Sequence, residues 1–221
     1  MADPVKRRYD SPRRREQAAE TRRQILEAAR RLFERDGYAA TSVGAIAAEA
    51  GIALKTVYVA FGTKSGVLRA LWNVLLRGDD EGDPISERDW YRAVLAEPDP
   101  ELLLRRVAEG SRTVKERVGG IFDVIRGAAP VDPDIAELWN RIEAEFYENQ
   151  RAIVAALKSS RALRRGLDAE RATDILWSLN HPDVWVLLVG KRGWSPDEFE
   201  RWLAETLSAQ LLASGAKPAG R

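Results

Sequence analysis

Thr41 and Ser42, then Lys55, Thr56 and Tyr58, then Lys64 set hydroxyls and ammonium groups along a stretch whose sole acidic residue is Glu49. Hydroxyls beside the free N–H groups of a helix start suit a phosphate oxygen. Tyr58 and Thr56 can each donate a hydroxyl to a sugar–phosphate backbone, and Lys64 adds a point charge. Lys55 is the one charged side chain among Ala53, Leu54, Lys55 and Val59, and it can reach guanine O6/N7 or another phosphate. Leu54 and Val59 can touch thymine methyls. Plainer readings stand beside these: an N-cap for Thr41 and Ser42, and a core position for Tyr58 and Leu54.

Such groups act only if short helices hold them. Ile25, Leu26, Ala29, Leu32 and Phe33 recur at helical spacing, and Gly37 offers a left-handed stop. Val43, Ile46, Ala47 and Ala50 form a second stripe ended by Gly51. Leu54, Val57, Tyr58 and Phe61 form a third. Leu68, Leu71, Trp72, Leu75 and Leu76 form a fourth after the cap candidate Thr63. The turn Ala50-Gly51-Ile52-Ala53 is tight, and small Ala47, Ala48 and Ala50 let the helices approach. The spacing predicts a helix-turn-helix, whose second helix inserts into the major groove.

Charge agrees with that placement. The 221-residue chain carries 35 Lys+Arg and 34 Asp+Glu, a net +1. Residues 1–77 hold 15 basic and 8 acidic residues (+7), and residues 78–221 hold 20 and 26 (−6). A nucleic-acid-binding end on a neutral-to-acidic body has this asymmetry. The apolar share of 45% and charged share of 31% are those of a globular protein. The absence of Cys excludes a disulfide scaffold, a thiolate metal site and a cysteine nucleophile, and the single His181 excludes a multi-imidazole centre. No apolar run approaches the ~20 residues that span a bilayer, and the N-terminus is charged, so a cytoplasmic protein without a membrane partner is expected.

The residues Thr21-Arg22-Arg23-Gln24-Ile25-Leu26-Glu27-Ala28-Ala29, Leu32-Phe33, Gly37-Tyr38, Thr41-Ser42-Val43, Ile46-Ala47, Ala50-Gly51, Thr56-Val57-Tyr58, Phe61, Lys64 and Leu68 resemble the tetracycline-repressor (TetR) family over residues 18–76. The remainder resembles the family's helical ligand and dimerisation domain more loosely, with Ala172–Trp177 and Gly193–Pro196 similar to one variety of it. The resemblance implies phosphate contacts from Thr56, Tyr58 and Lys64. The family often has Ser where Ala53 stands and an aromatic or polar residue where Val59 stands, so the operator sequence stays open.

The expected fold is all-α in about nine helices: a basic arm (1–17, disordered), a helix-turn-helix domain (18–63), a helical ligand-binding and dimerisation domain (64–213) and a flexible tail (214–221). Beyond a loop at Gly78–Ile85, helices start at Ser86, Asp99-Pro100, Asp132-Pro133 and Asp168, and at the capping box Ser195-Pro196-Asp197-Glu198. The second of these runs to about Gly127, bent or broken near Gly110 or Gly119-Gly120. The third runs to about Leu163, and the helix after Asp168 is interrupted at Pro182. One helix-turn-helix covers a short half-site, so a homodimer on double-stranded DNA is expected. Trp202, Leu203, Thr206, Leu207 and Gln210 are its interface candidates, unless they pack the subunit's own core. Trp72, Phe122, Trp139, Phe146, Trp177, Asn180 and His181 are candidates for a pocket that takes an apolar or aromatic small molecule and thereby lowers operator affinity. No cofactor, metal or catalytic residue is expected. Two enzyme readings are weak: Asp79-Asp80-Glu81-Gly82-Asp83 matches a DDxxD pattern but sits between Gly78 and Pro84, and Ser178 with His181 lacks a strand-to-helix elbow. A helix-turn-helix regulator without a small-molecule ligand is the stronger alternative.

Overall fold

A computed structural model of the chain describes residues 12–77 and 88–213. Two compact units divide it, residues 1–71 and 72–221. The helices are α1 (Pro12–Ala40), α2 (Val43–Ala50), α3 (Leu54–Phe61), α4 (Lys64–Arg77), α5 (Asp89–Leu95), α6 (Pro100–Ala128), α7 (Pro133–Ser159), α8 (Ala169–Leu179), α9 (Pro182–Trp185), a π-helical turn (Val186–Lys191) and α10 (Pro196–Leu211). Among the described residues no strand forms, and a single antiparallel bridge pairs Leu163 with Leu212.

In the N-terminal unit the predicted stripe of α1 is the core: Ile25, Leu26, Ala29, Leu32 and Phe33 are buried, joined by Ile46, Ala47, Val57, Val67 and Leu68. The expected arm divides differently. Residues 1–11 lie outside the described residues, whereas 12–17 are already helical, Pro12 opening a helix whose first turns are exposed. Gly37 has the positive φ expected of it (78°), yet the helical pattern resumes to Ala40, so it kinks α1 instead of ending it. The boundary between units falls after Leu71, not at residue 63, because Val67, Leu68 and Leu71 on the first half of α4 are buried with the N-terminal unit.

In the C-terminal unit α6 packs along α10, and α7 along α8. Asp99, Asp132 and Asp168 each accept first-turn N–H bonds of the following helix, and Ser195 with Glu198 completes the capping box. Two expectations change. The α6 helix runs unbroken through its glycines, of which Gly110 serves close approach: a Cβ there would stand 3.3 Å from the Trp90 ring, while one on Gly119 would make an ordinary contact with the Trp185 indole nitrogen at 3.7 Å. The α7 helix stops at Ser159, and the chain to α8 is tied to the end of α10 by Arg164 N–H on Leu211 O (2.8 Å) and Ala213 N–H on Ala162 O (3.1 Å). The loop Gly78–Ile85, the start at Ser86, the run Asp79–Asp83 and the tail 214–221 lie outside the described residues.

Candidate nucleic-acid interface

Ser42 caps α2, its hydroxyl oxygen accepting the Ala45 N–H at 3.0 Å. The helix ends on Gly51 in the left-handed region (φ 67°, ψ 26°). Gly51 N–H donates to Ala48 O (3.1 Å) and Ile52 N–H to Ala47 O (2.9 Å), the paired bonds of a Schellman turn. This reversal turns α3 by 114° from α2, within the range of a helix-turn-helix. The far end of α3 is clamped. Arg22 on α1 lies 4.4 Å over the Phe61 ring. A Cβ on Gly66 would fall 2.1 Å from the Phe61 carbonyl oxygen, so only glycine lets α4 start there.

Held at both ends, α3 buries one side chain fully, Val57. Leu54, Tyr58 and Val59 are 45%, 50% and 79% exposed, and Ala53, Lys55 and Thr56 are exposed beside them. This eight-residue helix thus leaves three large apolar residues in water, and an exposed apolar cluster of this kind is the informative exception on a folded unit. The core alternatives for Leu54 and Tyr58 therefore fail.

Two of the expected contact residues are placed otherwise. Thr41 is 3% exposed and its hydroxyl donates to Gly37 O at 2.8 Å, closing the kink of α1. It is a structural residue, because the kinked end of α1 folds over it. Lys64 is half-buried, with its ammonium over the Tyr38 ring (4.1 Å from the centroid) and donating to Tyr38 O at 2.8 Å. One of its three protons is thereby held inside the protein, and Tyr38 itself stacks on Phe33. Neither placement was readable from spacing, since both depend on where Gly37 redirects the chain.

In the C-terminal unit six of the seven candidate pocket residues meet. His181 has Trp177, Phe146 and Phe122 edge-on at 5.0, 6.0 and 6.3 Å between ring centroids. Phe122 extends the cluster to Trp139 (5.0 Å) and Trp72 (6.3 Å). His181 caps α9, Nδ1 accepting the Asp183 N–H at 3.2 Å, while Nε2 faces Glu143 Oε1 at 3.7 Å. Asn180 does not join them. Its amide is buried and engaged within the protein: Oδ1 accepts from Lys115 Nζ (2.7 Å) and from the Ser111 hydroxyl, and Nδ2 donates one hydrogen bond to Gln150 Oε1 (3.1 Å). Ser178 donates its hydroxyl to Asp174 O (2.7 Å), so no Ser178–His181 nucleophile pair forms.

Lys115, Ser111 and Gln150 escaped the sequence reading. A signal existed, because Leu104, Ala108, Ser111, Lys115, Val118, Phe122 and Ile125 follow a strict 4-3 spacing in which Ser111 and Lys115 are the polar intruders.

On α10 the five interface candidates separate. Leu203 and Leu207 are fully buried in the subunit's own core with Phe199 and Leu211, so they are not interface residues. The i, i+4 stripe from Phe199 is the inward one. Trp202 and Thr206 are half-buried and Gln210 is exposed on a neighbouring face, with Trp202 against Phe199 (5.8 Å) and Trp194 (6.0 Å).

Residues 25–71 match the family model described as bacterial regulatory proteins, tetR family. The HTH-type transcriptional regulator TtgR of Pseudomonas putida is 29% identical over 172 residues, covering 72% of this chain and 76% of that protein. A transcriptional regulator from Saccharomonospora viridis, solved in complex with choline, superposes with a TM-score of 0.68 at 22% identity, over 88% of this chain and 98% of its own. NalD of Pseudomonas aeruginosa, the secondary repressor of the MexAB-OprM multidrug efflux pump, superposes with a TM-score of 0.67 at 23% identity, over 89% of this chain and 98% of its own. The 114° helix pair lies inside the segment that matches the tetR family model, and over 72% of its length the chain is similar to a bacterial transcriptional regulator.

Proposed function

We propose that this chain is a dimeric repressor that binds a palindromic operator and is released by an apolar or aromatic small molecule. The observation that carries the DNA half is the exposed face of α3, where Leu54, Tyr58 and Val59 stand in water beside Lys55 and Thr56. In the groove Leu54 and Val59 meet thymine methyls, Lys55 meets guanine or phosphate, and the Tyr58, Thr56 and Ser42 hydroxyls meet phosphates. With one side chain able to read bases by charge, much of the affinity comes from phosphates and falls steeply with salt. Two copies are needed for a useful site, and the face of α10 carrying Trp202, Thr206 and Gln210 is our candidate seam.

The test is selection of bound duplexes from a random pool, with sedimentation to establish the assembly state. A symmetric motif with half-sites about one helical turn apart, or a multiple of it, is expected. A strictly monomeric protein that enriches no motif at low salt refutes the proposal.

The effector half rests on the aromatic cluster about His181, which joins Trp72 on α4 to α6, α7 and α8. A flat apolar molecule inserted among these rings would displace Trp72 and with it α4, changing the separation of the two reading helices. The repressor role of NalD and the choline held by the Saccharomonospora viridis protein are supporting precedents within the fold. Titration of the operator complex with an aromatic panel checks this half. Release by at least one compound, lost in Trp72→Ala, supports it, and a panel that displaces nothing counts against it and favours a regulator without a small-molecule ligand.

A further inference from the structure

Lys115 sits at the middle of the inward stripe of α6, 5% exposed. Its ammonium donates to Asn180 Oδ1 and Ser111 Oγ and lies 5.5 Å from the centre of the Phe199 ring. Asn180 is fixed in turn by Gln150, which donates to Phe146 O at 3.1 Å. All of these partners are neutral. Among the described residues no carboxylate pairs with this ammonium, and a buried cation left without an anion is costly. An ammonium has three protons, and two are assigned.

The same lysine lines a cleft of about 400 Å³ with Gly119, Gly120, Trp185, Val186 and Gly190. The indole nitrogen of Trp185 is within 3.7 Å of where a Cβ on Gly119 would stand, which puts a second N–H donor against that wall. Opposite α6 the wall is the π-helical turn Val186–Lys191, a widened turn of the kind found at functional sites. The rim carries Glu116 and Asp123. Glu116 faces Arg112 at 3.4 Å, Asp123 faces Arg126 at 2.7 Å, and Arg112 and Arg126 are shared further with Glu200, Asp197 and Asp183. Each rim carboxylate is thus paired with an arginine, whereas Lys115 meets only neutral partners among the described residues, which leaves its ammonium as the charge that one anion would compensate.

We propose that the cleft between α6 and the π-helical turn binds a small monocarboxylate, whose anion takes the third proton of Lys115. Burial brings the Lys115 amine down to about 7, so above neutral pH the lysine takes up a proton as the anion enters, and affinity weakens as pH rises. The site adjoins the aromatic cluster through Asn180 and His181, and it deepens the effector reading by giving the ligand a charged group. It stands on the cleft and on the buried Lys115 ammonium with its neutral partners.

Acetate, benzoate and 1-naphthoate, each against its neutral amide, are titrated calorimetrically into the full chain without DNA at about pH 6 and pH 8.5. At least one carboxylate should bind one per chain, about tenfold or more tighter than its amide. At the higher pH it should take up close to one proton, read from buffers of different ionisation enthalpy. Lys115→Met should abolish both the preference and the proton uptake. Gly119→Val, which leaves the lysine and narrows the cleft, should weaken binding at both pH values. No carboxylate preference, or a preference and uptake that survive in Lys115→Met, overturns the proposal. Because DNA is absent, carboxylate binding without operator release would uphold this site while counting against the effector reading.

Discussion

Raising the pH from about 6 to about 9 stabilises the C-terminal unit, and Lys115→Met removes the gain. Burial lowers the Lys115 amine from 10.5 to about 7. Below 7 the folded and unfolded chains both hold the proton, and stability carries the full burden of the buried charge. Between 7 and 10.5 the unfolded chain holds a proton that the folded chain has released, so each pH unit adds about 1.4 kcal/mol. Two units above the folded value, the gain by pH 9 is about 3 kcal/mol. Tyr91, pushed up to about 12 by burial, works in the opposite direction above pH 10 and sets the upper limit of the window. All seven tryptophans lie at residue 72 or beyond, so their fluorescence reports the C-terminal unit alone. With a urea slope of about 3 kcal/mol/M, the midpoint should rise by about 1 M. Met keeps the stem of the lysine, and Ser111 still donates to Asn180 Oδ1. The variant should therefore be more stable than the parent at pH 6 and flat across the window. A parent midpoint that stays level or falls, or a variant that keeps the rise, refutes the reasoning.

Other outcomes follow from the N-terminal unit. Lys55→Ala should relax preference at one base pair per half-site by about 1–3 kcal/mol if the ammonium reads guanine; an unchanged selected motif assigns Lys55 to phosphate. Gly66→Ala forces a Cβ into the Phe61 carbonyl and should cost about 2–4 kcal/mol, read as faster amide hydrogen exchange in α1 to α3. Unaltered exchange there would show that the α3–α4 junction can relax. Thr41→Val leaves the Gly37 carbonyl without its donor and should destabilise the unit by about 1–3 kcal/mol, while the salt dependence of DNA binding stays the same. A shallower salt slope would restore Thr41 to the phosphate contacts.

Local patterns were enough for the helical class, the capped starts and the helix-turn-helix. Each is decided by residues close in sequence: Asp99, Asp132, Asp168 and Ser195 bond N–H groups two or three positions on, and Gly51 turns the chain through its own φ. The face of α3 was legible only in part, since Leu54 and Tyr58 share an apolar stripe with Val57 and the structure buries Val57 alone among the three. Most of the aromatic cluster was legible too, because large rings on one helical face must bury together.

Only the tertiary structure decided which polar groups the protein keeps for itself. Thr41, Lys64 and Asn180 have the right chemistry for an external ligand. Yet a carbonyl at Gly37 takes the Thr41 hydroxyl, the ammonium of Lys115 bonds Asn180, and a carbonyl at Tyr38 holds one of the three Lys64 protons. The Lys115 and Asn180 positions are 65 residues apart, and no pattern along the chain announces such a meeting. Leu203 and Leu207 went to the core in the same way, since a helix reveals its apolar stripe in sequence but not whether its own subunit or another covers it. Hydrogen bonds and burial across the chain depend on how helices dock, and docking is set by shape.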